Sequence, residues 1–305
     1  MQSELAAIES KINAILPPRY VGCFEDVPAA SMGTASLKYD KQGNVAWGEI
    51  WTTFCHLALA GGPPHRGSFL AAVPAAEAAA HPAEQAAVVA EIKRAIRLSA
   101  NLPPLATDPL DTEPPGWVCF RCHDADMAAW LVRAIVAENV IARHAGEILF
   151  VPAGPHFRIE KEIKNVVVSV AKTCHYLLDH VEPEERPRGF TDDLIEPPLP
   201  EAIAAAPEQY QAAIEKLKGR LSNQTSLATT EAKSPGWIGL QCTSEEMAIW
   251  LQRAIVVENI LARREAETLL VPVSIHSVNG EANVRVATAV NQAVRLWQFR
   301  ESGKS

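Results

Sequence analysis

From residue 114 onward, short apolar runs alternate with longer stretches of helical spacing. Trp117-Val118-Cys119-Phe120 follows a Pro-Gly turn and reads as a buried strand. Met127, Trp130, Leu131, Ala134 and Ile135 then recur on one helix face, and the helix is expected to close near the basic residue Arg143. A second strand, Ile148 to Val151, runs into Pro152, and a second helix covers about 160–179. The same order returns later: strand Trp237 to Leu240, a helix closing near Arg263 and Arg264, strand Leu269 to Val271 before Pro272, and a helix over about 281–298. Asp124 and Asp126 suit the start of the first long helix, and Thr243 with Glu246 have capping-box spacing at the second.

The two stretches resemble each other in letters as well as in pattern. At an offset of 235 − 115 = 120, residues 114–152 align with 234–272 without a gap, and 20 of the 39 positions are identical. Duplication is the simplest explanation. A fainter third copy is read over 33–100, because Trp51 precedes Val73-Pro74 by nearly the interval that separates Trp130 from Val151-Pro152. That copy would open with a hairpin, Ser36–Tyr39 and Asn44–Trp47, and close with a helix at 84–98. The organisation expected is an N-terminal region 1–101 opening with a helix over Met1 to Leu16, repeat one at 114–181, a linker with an extra helix at 182–233, and repeat two at 234–305. The fold class expected is α/β or α+β: tandem βαβα-like repeats, two clear and one fainter, with helices packed on a mixed sheet.

Composition narrows the function classes. The formal net charge is −8 and no basic run is present, which argues against a general nucleic-acid binder. No stretch approaches the length of apolar chain that spans a bilayer, and the N-terminus lacks the pattern of a signal peptide, so a cytoplasmic location is expected. The six cysteines are then expected to be thiols.

Four groups of residues carry candidate chemistry. The first is kept in both copies: Arg133, Glu138, Asn139 and Arg143 match Arg253, Glu258, Asn259 and Arg263. They read as a buried polar network fixing how units pack, or as a ligand site with acid/base capacity. The second is the turn holding His56, Gly61, Gly62, His65 and Arg66, whose glycines, backbone amides and basic side chains could receive phosphate or carboxylate. The third is Cys119-Phe120-Arg121-Cys122-His123, spelled like a haem attachment site but lying on a buried strand, with no such motif in the other copy. The fourth is the Cys-His dipeptide, at Cys55-His56, Cys122-His123 and Cys174-His175, which lacks any zinc-finger spacing; no metal site is expected from it. His156 and His276 occupy matching places beyond Pro152 and Pro272 and are further ligand candidates.

These residues suggest a cytosolic binding or accessory protein, holding a small anionic ligand, a cofactor precursor or a protein partner between repeat units. The rival is an enzyme with a composite His/Arg/Glu site doing acid/base chemistry on an anionic small molecule. An interaction scaffold is a third reading and predicts a broad apolar surface patch. The cofactor is not specified by any motif, and duplicated units leave room for a homo-oligomer.

Overall fold

Helices and antiparallel strands make up the chain, which is α+β. The computed structural model describes residues 1–16, 37–50, 57–105, 113–190, 193–275 and 280–303. In chain order the elements are α1 (Gln2–Ile15), α2 (Ala75–Ala80), α3 (Pro82–Ala100), β1 (Trp117–Arg121), α4 (Ala125–Ala137), β2 (Arg143–Ala145), β3 (Ile148–Pro152) and α5 (Lys164–Asp179). There follow α6 (Pro200–Ala205), α7 (Pro207–Gln224), β4 (Ala228–Glu231), β5 (Trp237–Gln241), α8 (Glu245–Val256), β6 (Arg263–Glu265), β7 (Thr268–Pro272) and α9 (Glu281–Ser302). They gather into two compact units, Gly22–Gly189 and Met1–Val21 with Phe190–Ser305.

In the unit Gly22–Gly189 the strands lie in the order β1-β3-β2, with Trp117 opposite Pro152 and Arg143 opposite Phe150. Every ladder is antiparallel, so the mixed sheet expected from the sequence is replaced by a hairpin, β2 turning into β3 through two residues. Parallel pairing among the described residues is confined to single bridges, Leu70 with Val140 and Ile195 with Ile260. In the other unit the order is β4-β5-β7-β6, again antiparallel. β4 carries no strand signal in its sequence, Ala-Thr-Thr-Glu, which is too polar to read as one.

Helix α4 starts where Asp124 accepts the Met127 amide at 2.7 Å. At α8 the cap is Ser244, one residue beyond the Thr243 that the capping box suggested. Neither helix reaches the arginine assigned to its end; Arg143 and Arg263 each begin a strand. The reason is an asparagine. Asn139 and Asn259 hold φ of 64° and 63°, the left-handed conformation that stops a helix. At Asn139 the closure is complete: its amide bonds to the Val136 carbonyl and the Val140 amide to the Ile135 carbonyl.

α4 is buried on almost every side, from Met127 through Ala137. Trp130 stacks on Tyr176 of α5 with ring centroids 5.5 Å apart. Side chains such as Leu131 and Ile135, fully out of water, each contribute on the order of 2 kcal/mol by burial.

Of the third copy expected over 33–100, the helix at 84–98 is present as α3, and residues 33–36 and 51–56 lie outside the described residues. The described part of 33–100 holds one bridge between Tyr39 and Val45, a 3-10 turn at Trp47–Glu49, another at Ala58–Ala60, and helices α2 and α3. Trp51 lies outside the described residues. From Leu70 the chain instead follows an order seen again from Ile195. Leu70 accepts from the Ile141 amide and donates to the Asn139 carbonyl; Ile195 does the same with Leu261 and Asn259. A six-residue helix and a long Pro-initiated helix follow each docked residue, α2 with α3 and α6 with α7. The chain then reaches the edge of the first long strand, at Pro104 beside Phe120 and at β4 beside β5. Sequence similarity is visible only in the later half of each stretch, 114–152 against 234–272.

Candidate functional site

Glu138 follows α4 directly and is wholly buried. Its carboxylate accepts the Ala58 amide at 2.8 Å, the His65 amide at 2.7 Å and the Lys172 ammonium at 3.0 Å. Lys172, on α5, is itself only 2% exposed. A charge so deeply buried needs partners, and here each is the other's. The Gly-Pro turn was expected to offer its amides to a foreign anion. It does receive an anion, and that anion is Glu138. The Gly61 and Gly62 amides close the turn itself, on the Ala58 and Leu57 carbonyls, with Gly61 at φ 110°. The Arg66 amide reaches the Glu138 carbonyl at 3.3 Å.

The side chain of His65 is different. The residue is 8% exposed, and neither ring nitrogen has a hydrogen-bond partner among the described residues. Burial pushes its pKa down to about 3, helped by the charges of Lys172, Lys164 and Arg66; the Asn165 side chain works in the other direction without forming a well-made bond. The ring is therefore neutral at pH 7. Burial also lowers the pKa of Lys164 and of Arg66. Glu160 acts on Lys164 and Glu162 on Arg66, so the cationic cluster is partly balanced. Arg66 Nε donates to the Ser68 carbonyl at 3.0 Å.

Lys172 and its neighbours escaped the sequence reading, although a signal was there. Asn165-Val-Val-Val opens α5 much as Asn283-Val-Arg-Val opens α9, at an offset of 283 − 165 = 118. On that alignment Ser169, Lys172 and Tyr176 stand where α9 has Ala287, Val290 and Val294, all buried. A stripe that is apolar in one helix is polar in the other, and Ser169 Oγ is buried there with no partner among the described residues. The shift from an offset of 120 to one of 118 hid the correspondence.

The other candidates fall into place separately. Asn139 donates to the Arg66 carbonyl at 2.7 Å and Asn259 to Asp193 at 2.6 Å, so both tie down the docked segment. Glu258 is not buried like Glu138; it pairs at 2.6 Å with Lys11 of α1, an exposed lysine. Arg133, 1% exposed, donates to the Ala129 carbonyl of its own helix. Arg143 and Arg253 are half-buried. Arg263 is buried, pairs with Glu265 at 2.8 Å and lies over the Trp237 ring; burial draws its pKa down to about 10. His156 is exposed and meets Glu77 at 3.1 Å. His56 and His276 lie outside the described residues.

Cys119 and Cys122 are buried free thiols, and burial raises the pKa of Cys122 to about 12. That suits core packing and not thiolate chemistry. Cys174 is likewise buried, its pKa raised by burial. No group of three or more His, Cys, Asp or Glu side chains that could hold a metal ion occurs among the described residues, and none of the described helices is long and apolar enough to cross a membrane. A cavity of about 270 Å3 opens beside α4, lined by His123, Asp124, Asp126, Arg186 and Arg188 among others. Its charged groups are engaged locally: Asp124 in capping, Asp126 with the Gly189 amide, Arg186 and Arg188 with nearby carbonyls.

Compared with protein-family models, curated proteins and solved structures, the chain matches none.

Proposed function

We propose that the protein is a binding or accessory protein that holds a small anionic ligand at His65, within the unit Gly22–Gly189. One observation carries this reading: a buried imidazole with no hydrogen-bond partner at either nitrogen among the described residues, acted on by the cationic groups of Lys172, Lys164 and Arg66. An orphaned buried polar group costs roughly 1–3 kcal/mol, and a ligand that accepts from it relieves that cost. The three cations favour an anion over a cation at the ring, each being also balanced by a carboxylate, Lys172 by Glu138, Lys164 by Glu160 and Arg66 by Glu162. We further infer that the two units descend from one duplicated module running from Leu70 and from Ile195. On that view the fold does without the polar stripe, because α9 carries alanine and valine in its place.

The enzyme reading has less support. Glu138 already accepts three hydrogen bonds, which leaves it poorly placed to take a substrate proton. The scaffold reading expects an apolar patch, whereas the large apolar side chains exposed among the described residues are Met1, Tyr39, Leu98, Ile159 and Val284.

The test is calorimetric titration of the full chain with inorganic phosphate and with succinate, repeated on His65→Leu. Binding to the parent protein that disappears in the variant, with the fold retained, supports the reading. Equal binding by both, or none by the parent, removes it.

A further inference from the structure

The last Cys-His pair has a geometry that its sequence did not suggest. His175 lies near the end of α5 and His180 is its C-terminal cap. Their Nε2 atoms face each other at 2.8 Å. The His175 side chain is 37% exposed, so the pair can be reached from solvent, whereas Cys174 points into the core. On the far side of the His175 ring, Nδ1 lies 3.4 Å from Oδ2 of Asp179. The contact is an ion-pair distance and not a hydrogen bond; a carboxylate there favours the tautomer with the proton on Nδ1, which leaves the Nε2 lone pair toward His180.

We propose that His175 and His180 form a two-imidazole site for a divalent transition-metal ion of the copper(II) or nickel(II) type, oriented by Asp179. The spacing carries the choice of metal. Two bonds of about 2.0 Å at a right angle place their nitrogens about 2.8 Å apart, as neighbouring positions of a square plane require; a tetrahedral ion needs about 3.3 Å. The remaining positions would be filled by water. Without metal one Nε2 carries the proton of the bond between the rings; on binding, that proton moves to Nδ1 of the same ring, which stays neutral, and copper(II) exceeds nickel(II) and zinc(II) in affinity by the usual order for nitrogen ligands. Asp179 is a positioning residue and touches no metal itself.

The experiment is titration of the full-length protein, free of any histidine tag, with copper(II), nickel(II) and zinc(II), followed by electron paramagnetic resonance of the copper form. The expected result is one copper(II) bound tightly, with hyperfine structure from two nitrogen ligands. The affinity of His175→Gln or His180→Gln should fall to that of the double variant. Asp179→Asn should weaken binding by about tenfold while keeping the two-nitrogen signature. Copper(II) binding that is equal in the parent and the double variant would overturn the assignment, as would a spectrum with no second nitrogen. The spectrum is read on the parent protein, so it decides the matter even if a variant fails to fold.

Discussion

The Glu138 carboxylate grips the backbone amide of His65 at 2.7 Å, while the imidazole of that residue has no hydrogen-bond partner among the described residues. One side of the residue is a fixture of the fold and the other side is surplus to it. The two can be separated by substitution.

Removing the fixture should be costly. Glu138→Ala leaves Lys172 charged, buried and alone, and should destabilise the protein by about 3–5 kcal/mol. Glu258→Ala breaks only a partly exposed pair and should cost about 1 kcal/mol or less. Urea denaturation of the two variants should show that contrast. Replacing the pair together, Glu138→Leu with Lys172→Met, should recover only the part due to the stranded charge, because the Ala58 and His65 amides still lose their acceptor.

Removing the surplus should not. His65→Leu keeps the amide and discards the orphaned ring, so stability at pH 7.5 should be unchanged or higher. Acid should expose the difference. The folded pKa of His65, about 3, lies below the unfolded value of about 6.5, so between those limits the unfolded chain binds more protons. Parent stability therefore falls as pH drops below about 6.5, by up to roughly 1.4 kcal/mol per pH unit from this group. The leucine variant should lose that component, and the gap should widen from pH 7 to pH 5 in urea titrations.

An anion at the ring reverses the electrostatics and raises the His65 pKa. Binding of sulfate, an anion that does not itself titrate there, should then be coupled to proton uptake below neutral pH. Calorimetry in two buffers of different ionisation enthalpy should give different apparent heats for the parent; identical heats would mean that the imidazole is not at the ligand.

The two hairpin loops offer a cleaner comparison. Gly146 begins the β2–β3 loop at φ 53°, and Ala266 holds the matching position at φ 50°. An alanine in that region is strained by about 1–2 kcal/mol, less what glycine loses in chain entropy. Ala266→Gly should therefore stabilise the protein by roughly 0.5–1 kcal/mol, read as a higher thermal midpoint.

Much of the fold was legible. The strands at Trp117 and Trp237 and the helices behind them followed from apolar spacing, because each buries a regular face. The ends of those helices were not legible, because Asn139 and Asn259 stop them through a backbone conformation that arginine placement does not report. The pairing of Glu138 and Glu258 as equivalents was also misleading. Identical letters sit in different surroundings, one beneath the Ala58–His65 turn and the other beside α1. Lys172 was invisible for the opposite reason, since its counterpart Val290 shares no chemistry with it. His65 and Arg66 could be picked out by composition, but which part of the turn was already occupied depended on a contact 73 residues distant.

The docking of Leu70 against Asn139 and Ile141 also governs how the chain can be divided. A fragment cut at residue 114, where the visible similarity begins, would lose Pro103 and Leu105, whose backbone meets Arg121 and Cys119 along the outer side of β1. That strand would then present a bare row of amides and carbonyls, an invitation to pair with another molecule. A soluble fragment of this region has to begin before Leu70.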